Sequence, residues 1–320
     1  MSVNPFKADP TVGEQLAWLE NERGDAIRSE VGDALTSPGK ADPIDNMGGV
    51  LPKEAADRIA GDNDITIETL MLLSLGLAND YARPKISNFT VGAIGLEAET
   101  ENLVFGGNLE FPGANIANTV HAEGFVFARA FSRDTSIKTI AIGEAHPCAF
   151  CRQFLSEFAA TQTLTLIDPL GHRLTMEQLY PWPFDPAYLG QAGIVAGKQY
   201  HPKLKLSTTE IAHAAHSRLR TYGRKSYVPY GKAPAAVALT LRNGVVVAGG
   251  AIESVSFNPS MHPLPAALID LRAHGYDYGD IADAAIAVEP NTPVDYLKST
   301  RDLLETIAPN VPLTVLNWAA

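Results

Sequence analysis

Cysteine is scarce in this chain: only Cys148 and Cys151 occur among its 320 residues. A framework of structural disulfides is therefore excluded, and two cysteines separated by two residues favour metal binding over a structural disulfide. Long hydrophobic runs are also missing. The most apolar segment, residues 70–78, is far shorter than the roughly 20 residues that a transmembrane helix needs. We therefore expect no membrane span.

Positive charge is in short supply as well. The chain has 25 Lys and Arg residues against 36 Asp and Glu residues, a formal net charge of −11. Such a chain is a poor partner for a nucleic-acid backbone or an anionic membrane, because both attract basic surfaces. The first residues, 1–7, show no apolar run behind a basic cluster, so we expect a cytoplasmic protein. The composition favours a small neutral or cationic substrate.

The segment from Val120 to Gln153 contains the residues that carry chemistry. His121, Cys148 and Cys151 supply three ligands for a zinc ion and leave its fourth tetrahedral position for water. Glu123 lies two residues after the histidine and is placed to move protons. The pattern H-x-E followed by P-C-x-x-C is the signature of zinc nucleobase deaminases. A redox pair of cysteines is the alternative interpretation, but it would not need the upstream His-Ala-Glu, and we interpret His146 as a bystander.

Apolar periodicity predicts the order of the elements. Residues 1–65 are expected to form a helical segment, with helices over 13–35 and from Leu51, and residues 65–81 a buried helix. A series of strand, strand, helix, strand and helix follows, which indicates an α/β sandwich with helices packed against a sheet. The predicted members of this series are 89–96, 102–106, 123–131, 137–142 and 151–160, with a further strand at 164–167.

A second β-rich unit, with strands at 235–241 and 245–248 after a helix at 208–222, repeats the first. Ala248–Glu253 corresponds to Phe105–Glu110, and Met261–Leu264 corresponds to Val120–Glu123. The repeat has Leu264 in place of the acid and no cysteine, so we predict one duplicated fold with one working site. The expected divisions are a helical segment (1–65), a catalytic zinc domain (66–187), a linker (188–205) and a degenerate domain (206–320).

Four motifs resemble cytidine deaminase in its larger, two-domain, homodimeric form: Ser87–Ala93, Asn108–Phe111, Val120–Glu123 and Pro147–Gln153. The resemblance implies a duplicated three-layer α/β/α sandwich with one zinc ion per subunit. It also implies hydrolytic deamination of cytidine and 2′-deoxycytidine to the uridine products in pyrimidine salvage, with release of ammonia. Glu123 would be the catalytic acid and base.

The same resemblance assigns substrate contacts. Asn108 and Glu110 would bind the ribose 3′-hydroxyl, Phe89 and Phe184 would flank the pyrimidine, and the backbone of Ala122 would contact the base. Ser256 and Phe257 would come from the partner subunit of a homodimer. The alternative for Phe89, Phe184 and Phe257 is a role as core aromatics.

Glu110 also has a physical argument of its own. A carboxylate beside the sugar would repel a phosphate, at a cost of about 4 kcal/mol for two unit charges ~4 Å apart in an effective dielectric of 20. This favours nucleosides over nucleotides. Three alternatives stay open: a deaminase of another aminopyrimidine nucleoside, a non-catalytic zinc-stabilised dimer module, and a nucleic-acid editor, which the acidic charge disfavours.

Overall fold

A computed structural model describes residues 6–35, 46–143, 146–206 and 211–319. The α-helices within these ranges are α1 Pro10–Leu19, α2 Asp25–Ala34, α3 Lys53–Asp62, α4 Ile67–Leu73, α5 Leu75–Ala78, α6 Ala122–Ser132, α7 Ala149–Leu155, α8 Met176–Leu179, α9 His213–Lys225, α10 Pro263–Ala273 and α11 Tyr296–Ile307. The strands are β1 Val50–Leu51, β2 Gly92–Glu97, β3 Leu103–Gly107, β4 Ile137–Ile142, β5 Thr165–Ile167, β6 Arg173–Thr175, β7 Lys205–Leu206, β8 Ala235–Leu241, β9 Val246–Gly250, β10 Ile281–Val288 and β11 Leu313–Ala319.

The strands form two sheets with the same central topology. The first has the order β1-β3-β2-β4-β5-β6 and the second β7-β11-β10-β8-β9. In each, an antiparallel hairpin (β2 with β3, β8 with β9) is followed by one parallel pair (β4 with β5, β10 with β11). The order β3-β2-β4-β5 therefore matches β9-β8-β10-β11, and this confirms the predicted duplication.

Strand β8 shows how each sheet is covered on both faces. Ala236 and Ala238 lie in a core with residues of α9, whereas Val237 and Leu239 lie in the main core with residues of α10. Alternate residues of a strand point to opposite faces, so α9 and α10 cover opposite sides of the second sheet. Helix α5 approaches Gly92 and helix α6 approaches Gly95 in strand β2 of the first sheet. The predicted three-layer α/β/α arrangement is confirmed.

Helices α6 and α10 contact each other and join the two repeats. Arg129 of α6 and Asp270 of α10 form an ion pair of 2.6 Å whose side chains are 1% and 3% exposed. Each is the eighth residue after its histidine, His121 or His262. Equivalent positions of the two repeats therefore carry opposite charges where the repeats meet.

The N-terminal segment differs from the prediction in one respect. Val50 and Leu51 form strand β1, which pairs with β3 in the first sheet, although a helix was expected to begin at Leu51. The residue before a proline disfavours the helical region, so Leu51 stays extended, Pro52 caps the helix and α3 begins at Lys53. The remaining helices are as expected in type, with a π-helical turn between α1 and α2.

The buried helix expected over 65–81 is divided at Ser74 into α4, α5 and a 3₁₀ turn. Part of the predicted loop at 36–50 and the start of the helix expected from Thr208 lie outside the described residues. The four domain boundaries stay predictions. None of the helices in the described ranges has both the length and the hydrophobicity needed to cross a bilayer.

Candidate functional site

The predicted metal ligands lie where two helices begin. His121 is the N-cap residue of α6, and Cys148 is the N-cap residue of α7, with Cys151 in its first turn. Helix N-termini carry partial positive charge, which lowers the cost of holding thiolates. The backbone of Val120 pairs with Leu109 next to strand β3, and this fixes where α6 starts.

Three ligand atoms converge at this point. The two Sγ atoms are 3.7 Å apart, and His121 Nδ1 lies 3.2 Å from Cys151 Sγ and 3.5 Å from Cys148 Sγ. With zinc–sulfur bonds of about 2.3 Å and zinc–nitrogen bonds of about 2.0–2.1 Å, tetrahedral coordination separates two sulfurs by about 3.8 Å and nitrogen from sulfur by about 3.5–3.6 Å. The donor set and its spacing therefore fit one zinc ion with an open fourth position.

The two thiols differ in acidity. Hydrogen bonds from Cys151 and His121 lower the pKa of Cys148 to about 3. The neighbouring Cys148 sulfur and burial raise the pKa of Cys151. A thiol must lose its proton to bind a metal ion, and the lowered pKa of Cys148 favours that loss.

Glu123 lies beside this cluster in the first turn of α6 and is only 3% exposed. Burial raises the pKa of its carboxyl group, although His121 and a contact with Cys151 partly oppose that rise. A helix N-terminus would normally favour the ionised form, so desolvation is the larger effect here. A carboxyl group of raised pKa next to a metal site is suited to proton transfer.

Asn108 and Glu110 both hold the loop before strand β2. Asn108 accepts a hydrogen bond from Val91 N (3.0 Å) and donates one to Phe89 O (2.9 Å). Glu110 accepts from Ile86 N (2.7 Å), Ser87 N (2.8 Å) and Ser87 Oγ (2.6 Å). Burial alone would raise the pKa of Glu110, but these hydrogen bonds outweigh it and lower the pKa.

The remaining predicted contacts lie around the same region or in the second repeat. Ala122 is fully buried as the first residue of α6, and Phe89 is 62% exposed on the loop that Asn108 holds. Phe184 is also exposed, so neither aromatic is a core residue. Phe257 is exposed in the second repeat, where its ring packs on Tyr230.

The second repeat retains the backbone framework of the site but lacks the two cysteine ligands and the glutamate. Glu253 accepts hydrogen bonds from Tyr230 N and Gly231 N, in the way that Glu110 accepts from two consecutive amides of the first repeat. His262 caps α10, and its Nδ1 lies 3.2 Å from Ser299 Oγ. Leu264 is fully buried at the position of Glu123.

Comparison with known proteins finds two matching regions in the chain. Two matches to the cytidine and deoxycytidylate deaminase zinc-binding region cover residues 65–167 and 176–301. A cytidine deaminase of Photobacterium profundum is 33% identical over 84% of this chain and 90% of its own length. One of Vibrio atlanticus is 32% identical over 85% of this chain and 90% of its own length.

The chain belongs to the cytidine and deoxycytidylate deaminase family. A solved structure of cytidine deaminase from Mycobacterium tuberculosis is 26% identical, covers 34% of this chain and 90% of that chain, and has a TM-score of 0.31. The first family match contains His121, Glu123 and both cysteines, and zinc is the cofactor of the region that it describes.

Sequence reasoning missed two residues that hold the predicted substrate contacts in place. The side-chain amide of Gln153 binds both backbone groups of Phe184: it donates to Phe184 O (2.8 Å) and accepts from Phe184 N (3.2 Å). Ser87 Oγ links Glu110 to Phe89 N. Gln153 lies two residues after Cys151 and Ser87 two residues before Phe89, each within one of the four motifs. Their positions could therefore have indicated a role in the site.

Proposed function

We propose that this chain catalyses the hydrolytic deamination of cytidine and 2′-deoxycytidine to uridine and 2′-deoxyuridine, with release of ammonia. The observation that carries the proposal is the convergence of one imidazole and two thiols beside a buried glutamate, in a chain of this family. His121, Cys148 and Cys151 would bind one zinc ion per chain.

Glu123 is the proton carrier in this proposal. When bound, zinc lowers the pKa of a coordinated water toward about 7. Glu123 takes a proton from the attacking water and delivers it to N3 of the pyrimidine as the water oxygen bonds to C4. It then transfers the proton of the new C4 hydroxyl to the amino group, so that the C4–N bond breaks, ammonia leaves and the C4 carbonyl of the uracil ring forms. The raised pKa of Glu123 suits both steps, because a group that accepts and returns a proton works best with a pKa near the working pH.

Asn108 and Glu110 are proposed to bind the ribose. A carboxylate offers about four acceptor positions and a primary amide two N–H donors. The loop engages three acceptor positions of Glu110 and one donor of Asn108. One acceptor and one donor are left, which match a sugar hydroxyl because that group both donates and accepts.

The pyrimidine ring is proposed to lie between Phe89 and Phe184, with the backbone of Ala122 contacting its polar edge. Both aromatic side chains are exposed and could cover a flat ligand. We further propose a homodimer in which Ser256 and Phe257 of one subunit complete the site of the other, since the Phe257 ring is exposed in its own chain. The proposed setting is pyrimidine salvage in the cytoplasm.

A substrate panel tests this function. Purified zinc-loaded protein is incubated with cytidine, 2′-deoxycytidine, cytosine and cytidine 5′-monophosphate, and both the absorbance change and the ammonia released are followed. We expect turnover of both nucleosides and roughly a thousandfold lower kcat/KM for the nucleotide, because Glu110 repels its phosphate. Zinc-loaded protein that leaves both nucleosides intact would refute the proposal.

A further inference from the structure

A second cluster of side chains lies next to the cysteine segment. Strands β4 and β5 are parallel, with Ala141 beside Ile167, so their carboxyl ends lie side by side. His146 follows β4 and precedes Cys148 by two residues, and Asp168 directly follows β5. The topology therefore brings Asp168 to the segment that presents the first thiol, although Asp168 and His146 are 22 positions apart in the sequence.

The distances in this cluster are those of hydrogen bonds. His146 Nε2 lies 2.6 Å and His172 Nδ1 2.7 Å from the same Asp168 Oδ2, and His172 N donates to Oδ1 at 2.9 Å. In the cluster of His121 and the two cysteines, by contrast, the ligand atoms stand 3.2–3.7 Å apart, which is close to the separations of about 3.5–3.8 Å in tetrahedral zinc coordination. The geometry therefore identifies a hydrogen-bonded carboxylate and not a second metal site.

Asp168 is buried and is held by several hydrogen bonds. Its side chain is fully buried, whereas the side chain of His146 is 34% exposed. A buried carboxylate is costly unless it is fully hydrogen-bonded, so the two imidazoles and the His172 amide fix where it lies. One of the partners that Asp168 holds, His146, lies two residues before the metal ligand Cys148.

The cysteine segment is held from its other side as well. Arg152 donates to Pro147 O (2.7 Å) and to Leu179 O (2.8 Å). Cys148 thus lies between two fixed points, His146 before it and Arg152 after it. A thiolate ligand that is held in place before the metal arrives loses less conformational freedom on binding, and it dissociates less readily.

We propose that Asp168, acting through His146, is a positioning residue that fixes Cys148 for zinc binding. The inference rests on the ligand role of Cys148 under the proposed function. His172 secures the carboxylate from the opposite side, so that the carboxylate orients His146 and does not itself contact zinc or substrate.

Zinc release tests the proposal directly. The zinc-loaded full-length variants His146→Ala, His146→Gln and Asp168→Asn are mixed with an excess of the chelating dye 4-(2-pyridylazo)resorcinol, and the rate of zinc transfer is recorded. His146→Ala and Asp168→Asn should release zinc roughly 10–100-fold faster than the wild type, because losing a group that orients a metal ligand costs about that factor in metal affinity. His146→Gln should stay within about threefold, because its amide keeps an N–H donor near the position of Nε2.

Arg173→Ala is the matched control, since it removes the exposed Arg173–Glu68 ion pair from the hairpin that carries Asp168. It should release zinc at the wild-type rate. Thermal unfolding of the zinc-free proteins shows whether each variant folds. If Asp168→Asn does not fold, the comparison of His146→Ala with His146→Gln is the decisive one, because the side chain of His146 is partly exposed.

Two results would overturn the proposal. The first is zinc release from His146→Ala at the wild-type rate. The second is a wild-type protein with two zinc ions per chain, one of which is lost in both His146 variants, because that would make the cluster a metal site. A wild type that holds one zinc ion but leaves cytidine intact would remove the proposed function and leave this comparison valid.

Discussion

The ion pair between Arg129 and Asp270 gives a sharp test of how the two repeats are joined. Replacing Asp270 with asparagine preserves the side-chain volume but removes the negative charge. Arg129 would then remain as a cation that is 1% exposed. Its other described partners are neutral acceptors: Asn46 Oδ1 at 2.7 Å, Gly48 O at 2.9 Å, Asn46 O at 3.2 Å and Ser132 Oγ at 3.5 Å.

The expected loss of stability is large. Removing one partner of a buried ion pair costs about 3–5 kcal/mol, because the other charge stays buried without compensation. The neutral acceptors around Arg129 place the expected value near the lower end of this range. At about 2–4 °C per kcal/mol for domains of this size, the melting temperature should fall by about 6–12 °C.

The assay is thermal and urea unfolding of the zinc-loaded protein, with zinc content measured on the same sample. Asp302→Asn is the control, because it breaks the exposed Lys298–Asp302 pair of the same repeat, for which a loss below about 1 kcal/mol is expected. The double variant Arg129→Met/Asp270→Asn should lose less than the sum of its two single losses. A loss below about 1 kcal/mol for Asp270→Asn would show that the buried charge of Arg129 does not need this partner.

Three further predictions concern acid stability and substrate binding. Burial would raise the pKa of Asp270, but His274, Arg129 and the Ala248 amide outweigh it and lower the pKa to about 2 from the unfolded value of 3.8. The stability that ionised Asp270 contributes is complete above about pH 4 and is lost as the pH falls through about 2. The urea midpoints of the wild type and Asp270→Asn should therefore converge over that range. Midpoints that stay equally far apart from pH 4 to pH 2 would contradict this prediction. Ser87→Ala should raise the KM for cytidine roughly tenfold with kcat within about twofold, because a hydrogen bond to a charged group is lost away from the reacting atoms; an equal fall in kcat at constant KM would count against it. Gln153→Ala should likewise raise KM, because it frees the backbone of Phe184, and steady-state kinetics showing wild-type KM would disprove that role.

Much of the fold and the zinc donor set could be predicted from the sequence. Strands β4 and β8 have the predicted bounds, because each is rich in β-branched and small apolar residues, is mostly buried and is bordered by polar or turn-forming residues. The zinc donors follow from residue types whose chemistry is specific at short spacing. The repeat was visible because its glycine-rich strand ends and its histidine persist.

The features that could not be predicted depend on partners distant in the chain. Strand β1 is two residues long and exists because it pairs with β3, more than 50 positions later. Asp168 meets His146 only because β4 and β5 are parallel neighbours. In the sequence Arg129 reads as an ordinary exposed cation of a helix, and only the packing of α10 against α6 buries it against Asp270. Local periodicity carries no information on such contacts.

The role of Glu123 as proton carrier is tested by a paired measurement on Glu123→Gln and wild type, with zinc content and cytidine turnover determined on the same preparations. We predict one zinc ion per chain in both proteins and a fall in kcat of at least roughly 10²–10⁴ in the variant, because only the proton carrier is lost. A zinc-loaded Glu123→Gln variant that deaminates cytidine at the wild-type rate would contradict this role.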